Sequence, residues 1–95
     1  MTGLEQYLAD VASEAGADAA VDAEYRHAGR LFAAVSGNAA EFRLDPEIAD
    51  AALGTPATST SSRGADWVRL TVDEDSPHDL DRARAWFLSA WRNAG

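Results

Sequence analysis

Five side chains in the middle of this sequence carry the chemistry most easily combined. Alternating positions along three extended segments put Arg26, Arg43, Trp67 and Arg69 on one face, with Arg30 at a turn beside them. Guanidinium groups contact phosphate, and an indole offers a plane on which a base can stack. The chemistry is that of a nucleic-acid surface. The same parity places Asp22, Glu24 and Glu41 on that face, where they compete for the arginines as cross-strand ion pairs. A formal net charge of -8 weighs toward pairing, because phosphate neutralisation dominates affinity for nucleic acid.

Other groupings carry less. Ser61-Ser62-Arg63-Gly64 ends a hydroxyl-rich stretch whose amides could wrap an anion, but it lacks the lysine and glycines of a phosphate loop. Its composition is that of a solvated connector. Asp73, Glu74, Asp75 and His78 are ligand types for a divalent ion, yet their spacing fits no standard metal loop. Carboxylates at a helix start are in any case favoured by its dipole. His27 falls on an inward strand position, which predicts a hydrogen-bonded core histidine rather than a base. There is no Gly-x-Ser-x-Gly, His-Glu-x-x-His or dinucleotide fingerprint, and nothing pairs a nucleophile with an oriented base. The expectation is a non-enzymatic chain with no cofactor and no metal.

Composition limits the scaffold that positions these groups. Ninety-five residues suffice for one modest core, and 46% hydrophobic with 25% charged residues is globular composition. The absence of cysteine excludes disulfides, thiolate zinc sites and cysteine nucleophiles. No signal-peptide pattern or membrane-length apolar run is present, so a cytoplasmic location and no membrane partner are expected. All eight basic residues are arginine, the pattern of a GC-rich coding sequence. Residues 1–24 hold six carboxylates and no arginine, whereas residues 25–71 balance five arginines against five carboxylates. The acidity is therefore not uniform.

Thr2 and Glu5 form a capping box for a first helix with Leu4, Tyr7, Leu8, Val11 and Ala15 on its apolar side and Gly16 as its stop. The period then changes to two. Val21, Ala23, Tyr25 and His27 face inward along a strand, Ala28-Gly29 turns the chain, and Leu31 to Ser36 is a central strand. Gly37-Asn38 makes a second hairpin into Ala39 to Leu44. Asp45 caps a short helix with Pro46 first, Ile48, Ala51 and Ala52 inward, and Gly54 at its end. Residues 55–65 read as a mobile loop. Trp67 to Val72 is a fourth strand with Val68, Leu70 and Val72 inward, and Ser76-Pro77 opens a closing helix through Leu80, Ala83, Phe87, Ala90 and Trp91. Trp86 and Trp91 belong in or beside the core. The whole predicts an α+β two-layer sandwich, a single domain over residues 1–95, with an antiparallel meander of about four strands and helices on one face.

Tyr25, His27, Gly29-Arg30-Leu31-Phe32-Ala33, Glu41 to Leu44, Asp45-Pro46-Glu47, Trp67-Val68 and the closing helix with Ala83, Ala90 and Trp91 together resemble the MmcQ/YjbR family. The likeness covers roughly residues 21–95. Arg30 stands where that family more often has lysine, and the first helix lacks a following Pro-Gly. The N-terminal domain of TfoX-related competence regulators is similar in one hairpin. The resemblance implies a frataxin-like or YjbR-like topology and DNA binding through a double-wing motif. The frataxin analogy also draws attention to Glu5, Asp10, Glu14 and Asp18 as an acidic helix able to attract iron, on fold analogy alone. The two functional expectations are DNA bound on the arginine face, or a protein partner or second copy docked on the same face.

Overall fold

The computed structural model describes residues 3–95. Thr2, expected to cap the first helix, lies outside the described residues. In chain order the elements are α1 (Gly3–Ala15), β1 (Glu24–His27), β2 (Arg30–Ser36), β3 (Ala39–Arg43), α2 (Pro46–Leu53), β4 (Thr58–Ser61), β5 (Gly64–Thr71) and α3 (Pro77–Ala94). The five strands form one antiparallel sheet in the order β1-β2-β3-β5-β4. This is an α+β two-layer arrangement.

Local chemistry accounts for most of the boundaries. Gly16, at φ +82°, ends α1, with its own N–H bonded to the Ser13 carbonyl and that of Ala17 to the Ala12 carbonyl, a Schellman closure. The Asp45 carboxylate accepts from the Glu47 N–H at the start of α2, and the Ser76 hydroxyl accepts from the Asp79 N–H at the start of α3. Gly29 and Gly37 take positive φ in two-residue hairpin turns, which match the twist of the flanking strands.

The inner face of the sheet carries Ala33, Val35, Ala40, Phe42, Val68 and Leu70, all buried against Leu4, Leu8 and Val11 of α1, Ala49 and Ala52 of α2, and Ala83, Phe87 and Ala90 of α3. Phe32 is an extra residue in β2 opposite the Tyr25–Arg26 step, a bulge that lets both Phe32 and Ala33 reach the core. Phe87 meets both Tyr25 and Phe32 edge-on, with ring centroids 4.9 and 5.2 Å away.

Several expectations are corrected. The segment expected to be a mobile loop contains β4, a fifth strand whose Thr58 and Thr60 pair with Leu70 and Val68. β1 begins only at Glu24, because Asp22 and Ala23 both take positive φ and close a tight turn between Val21 and Glu24. On α2 the inward positions are Ala49 and Ala52, while Ile48 is 44% exposed and Ala51 is exposed as well. No helix among the described residues is long and apolar enough to cross a membrane.

Candidate ligand face of the sheet

The outer face is built in rows by the strand registers. Glu24, Ala34, Glu41, Arg69 and Ser59 form one row across all five strands. Arg43 stands opposite Trp67 two positions along. Arg26 pairs with Leu31 beyond the bulge, and Arg30 begins β2 opposite His27.

Arg63 controls this face. It occupies the two-residue turn between Ser61 and Gly64, and its guanidinium reaches back over the sheet to Glu41 at 3.1 Å and Glu24 at 3.4 Å. On the way it lies 5.5 Å above the centre of the Trp67 ring. The Ser61 hydroxyl donates to Glu41 and accepts from the Arg63 N–H, which fixes the turn in its folded-back position. Burial alone would raise the Glu41 carboxyl. The hydrogen bonds from Ser61 and Arg63, with the charges of Arg63 and Arg69, outweigh that and hold it below the ordinary carboxylate value.

The structure gathers the five expected residues only in part. Arg30, Arg43 and Trp67 line a shallow open depression of about 610 Å³ together with Leu31, Arg63 and Asp66. Arg43 is bound to Asp66 at 2.9 Å and Arg26 to Glu24 at 3.2 Å. Arg69 faces Glu41 across the ladder and acts on it through its charge. Among the described residues no ion pair within 4.0 Å involves Arg30 or Arg69. Trp67 is not an open stacking plane: it is only 7% exposed, covered by Arg63. Asp22 leaves the face for the turn before β1.

Arg63 and Asp66 were not singled out for this face. A signal existed in the sequence: Thr58-Ser59-Thr60-Ser61, then two residues and Gly64, has the spacing of a hairpin whose turn presents Arg63.

Several of the remaining candidates make structural contacts. Glu74 accepts from the Leu4 N–H at the start of α1, Asp73 accepts from the Asp75 N–H, and Asp79 accepts from the Asp73 N–H. Among the described residues no three of His, Asp and Glu converge on a point that could hold a metal ion. His27 is half-buried, stacked on Trp91 at 5.1 Å between centroids, with its Nδ1 3.0 Å from the Trp91 carbonyl oxygen. Trp86 and Trp91 pack half-buried beside the core.

No family model matches the sequence, and no curated protein is similar to it. Among solved structures, the crystal structure of a protein from Pseudomonas syringae, Northeast Structural Genomics Consortium target PsR293, is similar with a TM-score of 0.68 and 11% identity. The likeness covers 95% of this chain and 97% of that one, and at such identity it shows the α+β fold alone.

Proposed function

We propose that this chain is a non-catalytic binding domain that takes the phosphate backbone of duplex DNA on the outer face of its sheet, through Arg30, Arg43, Arg63 and Arg69. The observation that carries this reading is charge segregation. Five arginines (26, 30, 43, 63 and 69) share the face with three carboxylates (Glu24, Glu41 and Asp66), leaving three arginines and thirteen carboxylates elsewhere. The resemblance to MmcQ/YjbR proteins supplies DNA as the ligand class. Burial of Trp67 favours backbone contacts over base stacking, and so a duplex over a single strand. Exposed ion pairs contribute about 1 kcal/mol or less, so a phosphate can displace a carboxylate from its arginine.

Fluorescence anisotropy with labelled duplex and single-stranded DNA, titrated over salt, tests the proposal. Binding should favour the duplex and weaken with salt at a log–log slope of about -3 to -4, as expected when three or four phosphates are neutralised. Replacing Arg30 and Arg69 together by alanine should lower that slope by roughly 2. No binding to either DNA at the lowest salt removes the reading.

A second reading has its own support. Arg26, Arg43 and Arg63 already hold carboxylates, so three of the five arginines are paired, an arrangement that suits a protein partner or a second copy of the chain. Gel filtration over a concentration series tests the second-copy form, which a constant monomer eliminates.

A further inference from the structure

On the helical side of the sheet, away from the arginine face, the chain reverses at Gly16 and runs back along α1 through Ala17-Asp18-Ala19-Ala20. Ala17, Ala19 and Ala20 of that return segment are small, and an open space lies between them and α1. The result is a half-open cleft of about 380 Å³ beside α1, within the range of small-molecule sites. Five alanines make its walls apolar, and its polar groups include Glu5 and Tyr25. Among the described residues none with a basic side chain lines it.

Tyr25 gives the cavity a chemical direction. The residue is 1% exposed, its ring held edge-on to Phe87. Its hydroxyl makes no hydrogen bond with a described residue, yet no buried side-chain oxygen or nitrogen among the described residues lacks a partner. The hydroxyl oxygen is therefore not sealed in the core, and the space it meets is the cavity it lines. Burial, and secondarily the charge of Glu5, raise the Tyr25 phenol above its ordinary value, so it stays neutral and can accept as well as donate. Among the described residues that line the cavity, Glu5 is the one with a charged side chain, and that charge is negative.

We propose that this cavity is a binding site for a small aliphatic primary amine, with its alkyl body among the alanines and its ammonium group on the Tyr25 hydroxyl beside Glu5. Among the described lining residues an anion finds no positive partner, and an alcohol gains nothing from the charge of Glu5. This site is independent of the DNA reading.

The test uses the complete chain and amide NMR shifts, with n-hexylamine, n-hexanol and hexanoate as probes. Hexylamine should shift the signals of Glu5, Ala12, Ala17 and Tyr25 saturably, with a dissociation constant on the order of 1 mM, the range open to so small a ligand. Tyr25→Phe, which keeps the ring, should weaken binding about tenfold through loss of one charge-assisted hydrogen bond. Ala20→Leu, at an exposed lining position, should abolish binding while leaving the fold's amide spectrum intact. The proposal is overturned if hexylamine produces no saturable shift, if hexanol or hexanoate binds as tightly, or if Tyr25→Phe binds as tightly as the original chain.

Discussion

Arg63, in the turn between β4 and β5, places its Nε 3.1 Å from the Glu41 carboxylate on β3, so a side chain from one end of the sheet is anchored on its central strand. Both side chains are less than one-third exposed, and the same guanidinium covers Trp67. The contact therefore joins edge to centre and closes the face over an aromatic ring.

A double-mutant cycle with Arg63→Ala and Glu41→Gln should give a coupling of about 0.5–1 kcal/mol from denaturant unfolding. In a background with Trp86 and Trp91 replaced by phenylalanine, Arg63→Ala should also increase quenching of Trp67 by acrylamide. Unchanged quenching means that Arg63 is not what shields the ring.

Glu41 contributes a pH dependence of defined sign. Its carboxyl titrates lower in the folded chain than the ordinary 4.5, so the unfolded chain takes up this proton first as the pH falls. The contribution is complete above that ordinary value and is lost as the pH drops through the folded one. Glu41→Gln should flatten the acid limb of stability against pH below about 4.5, and an unchanged limb assigns the dependence to other carboxylates.

Arg82 fastens β4 to α3. The two N–H groups of its Nη2 are shared among the Thr55 hydroxyl at 2.7 Å, the Pro56 carbonyl at 2.9 Å and the Thr58 hydroxyl at 3.2 Å, and its guanidinium lies 5.1 Å from the centre of the Trp86 ring. Arg82→Ala should cost about 2–3 kcal/mol and speed amide hydrogen exchange in β4 more than in β2 or β3. Arg82→Lys should restore only part of this, because an ammonium has no planar face to lay against the indole.

Ala28 takes φ +54° in the turn between β1 and β2, a region that costs an alanine side chain roughly 1 kcal/mol. Ala28→Asn creates the Asn-Gly pair preferred by this turn and should raise the midpoint of thermal unfolding, with a gain of about 0.5–1 kcal/mol. A fall would show that Ala28 makes a packing contact that outweighs its backbone cost.

Much of the framework was legible because its signals are local. Asp45 and Ser76 cap helices within three residues, Gly29 and Gly37 mark turns two residues long, and Val68, Leu70 and Val72 all point to the core as their alternation predicts. The candidate face was legible by parity, which put Arg43, Trp67, Arg69 and Glu41 on one side; the ladder then set Arg43 opposite Trp67 and Arg69 opposite Glu41. Parity does not report cover. Arg63 shields Trp67 from a turn that sequence composition describes only as polar.

Sequence alone determined the helices, two of the hairpins, the inward stripe of β5 and the clustering of five arginines in the neutral middle of an acidic chain. These follow from dihedral preference and hydrophobic period, which act over a few residues. Tertiary structure decided that Thr58–Ser61 is a strand, since its hydroxyl side chains carry no apolar stripe and its extended form depends on the ladder to β5 and on Arg82. It also decided the shielding of Trp67 and the cavity at Tyr25. Each depends on groups brought together by the chain's return, as when Arg63 meets Glu41 across twenty-two positions of sequence.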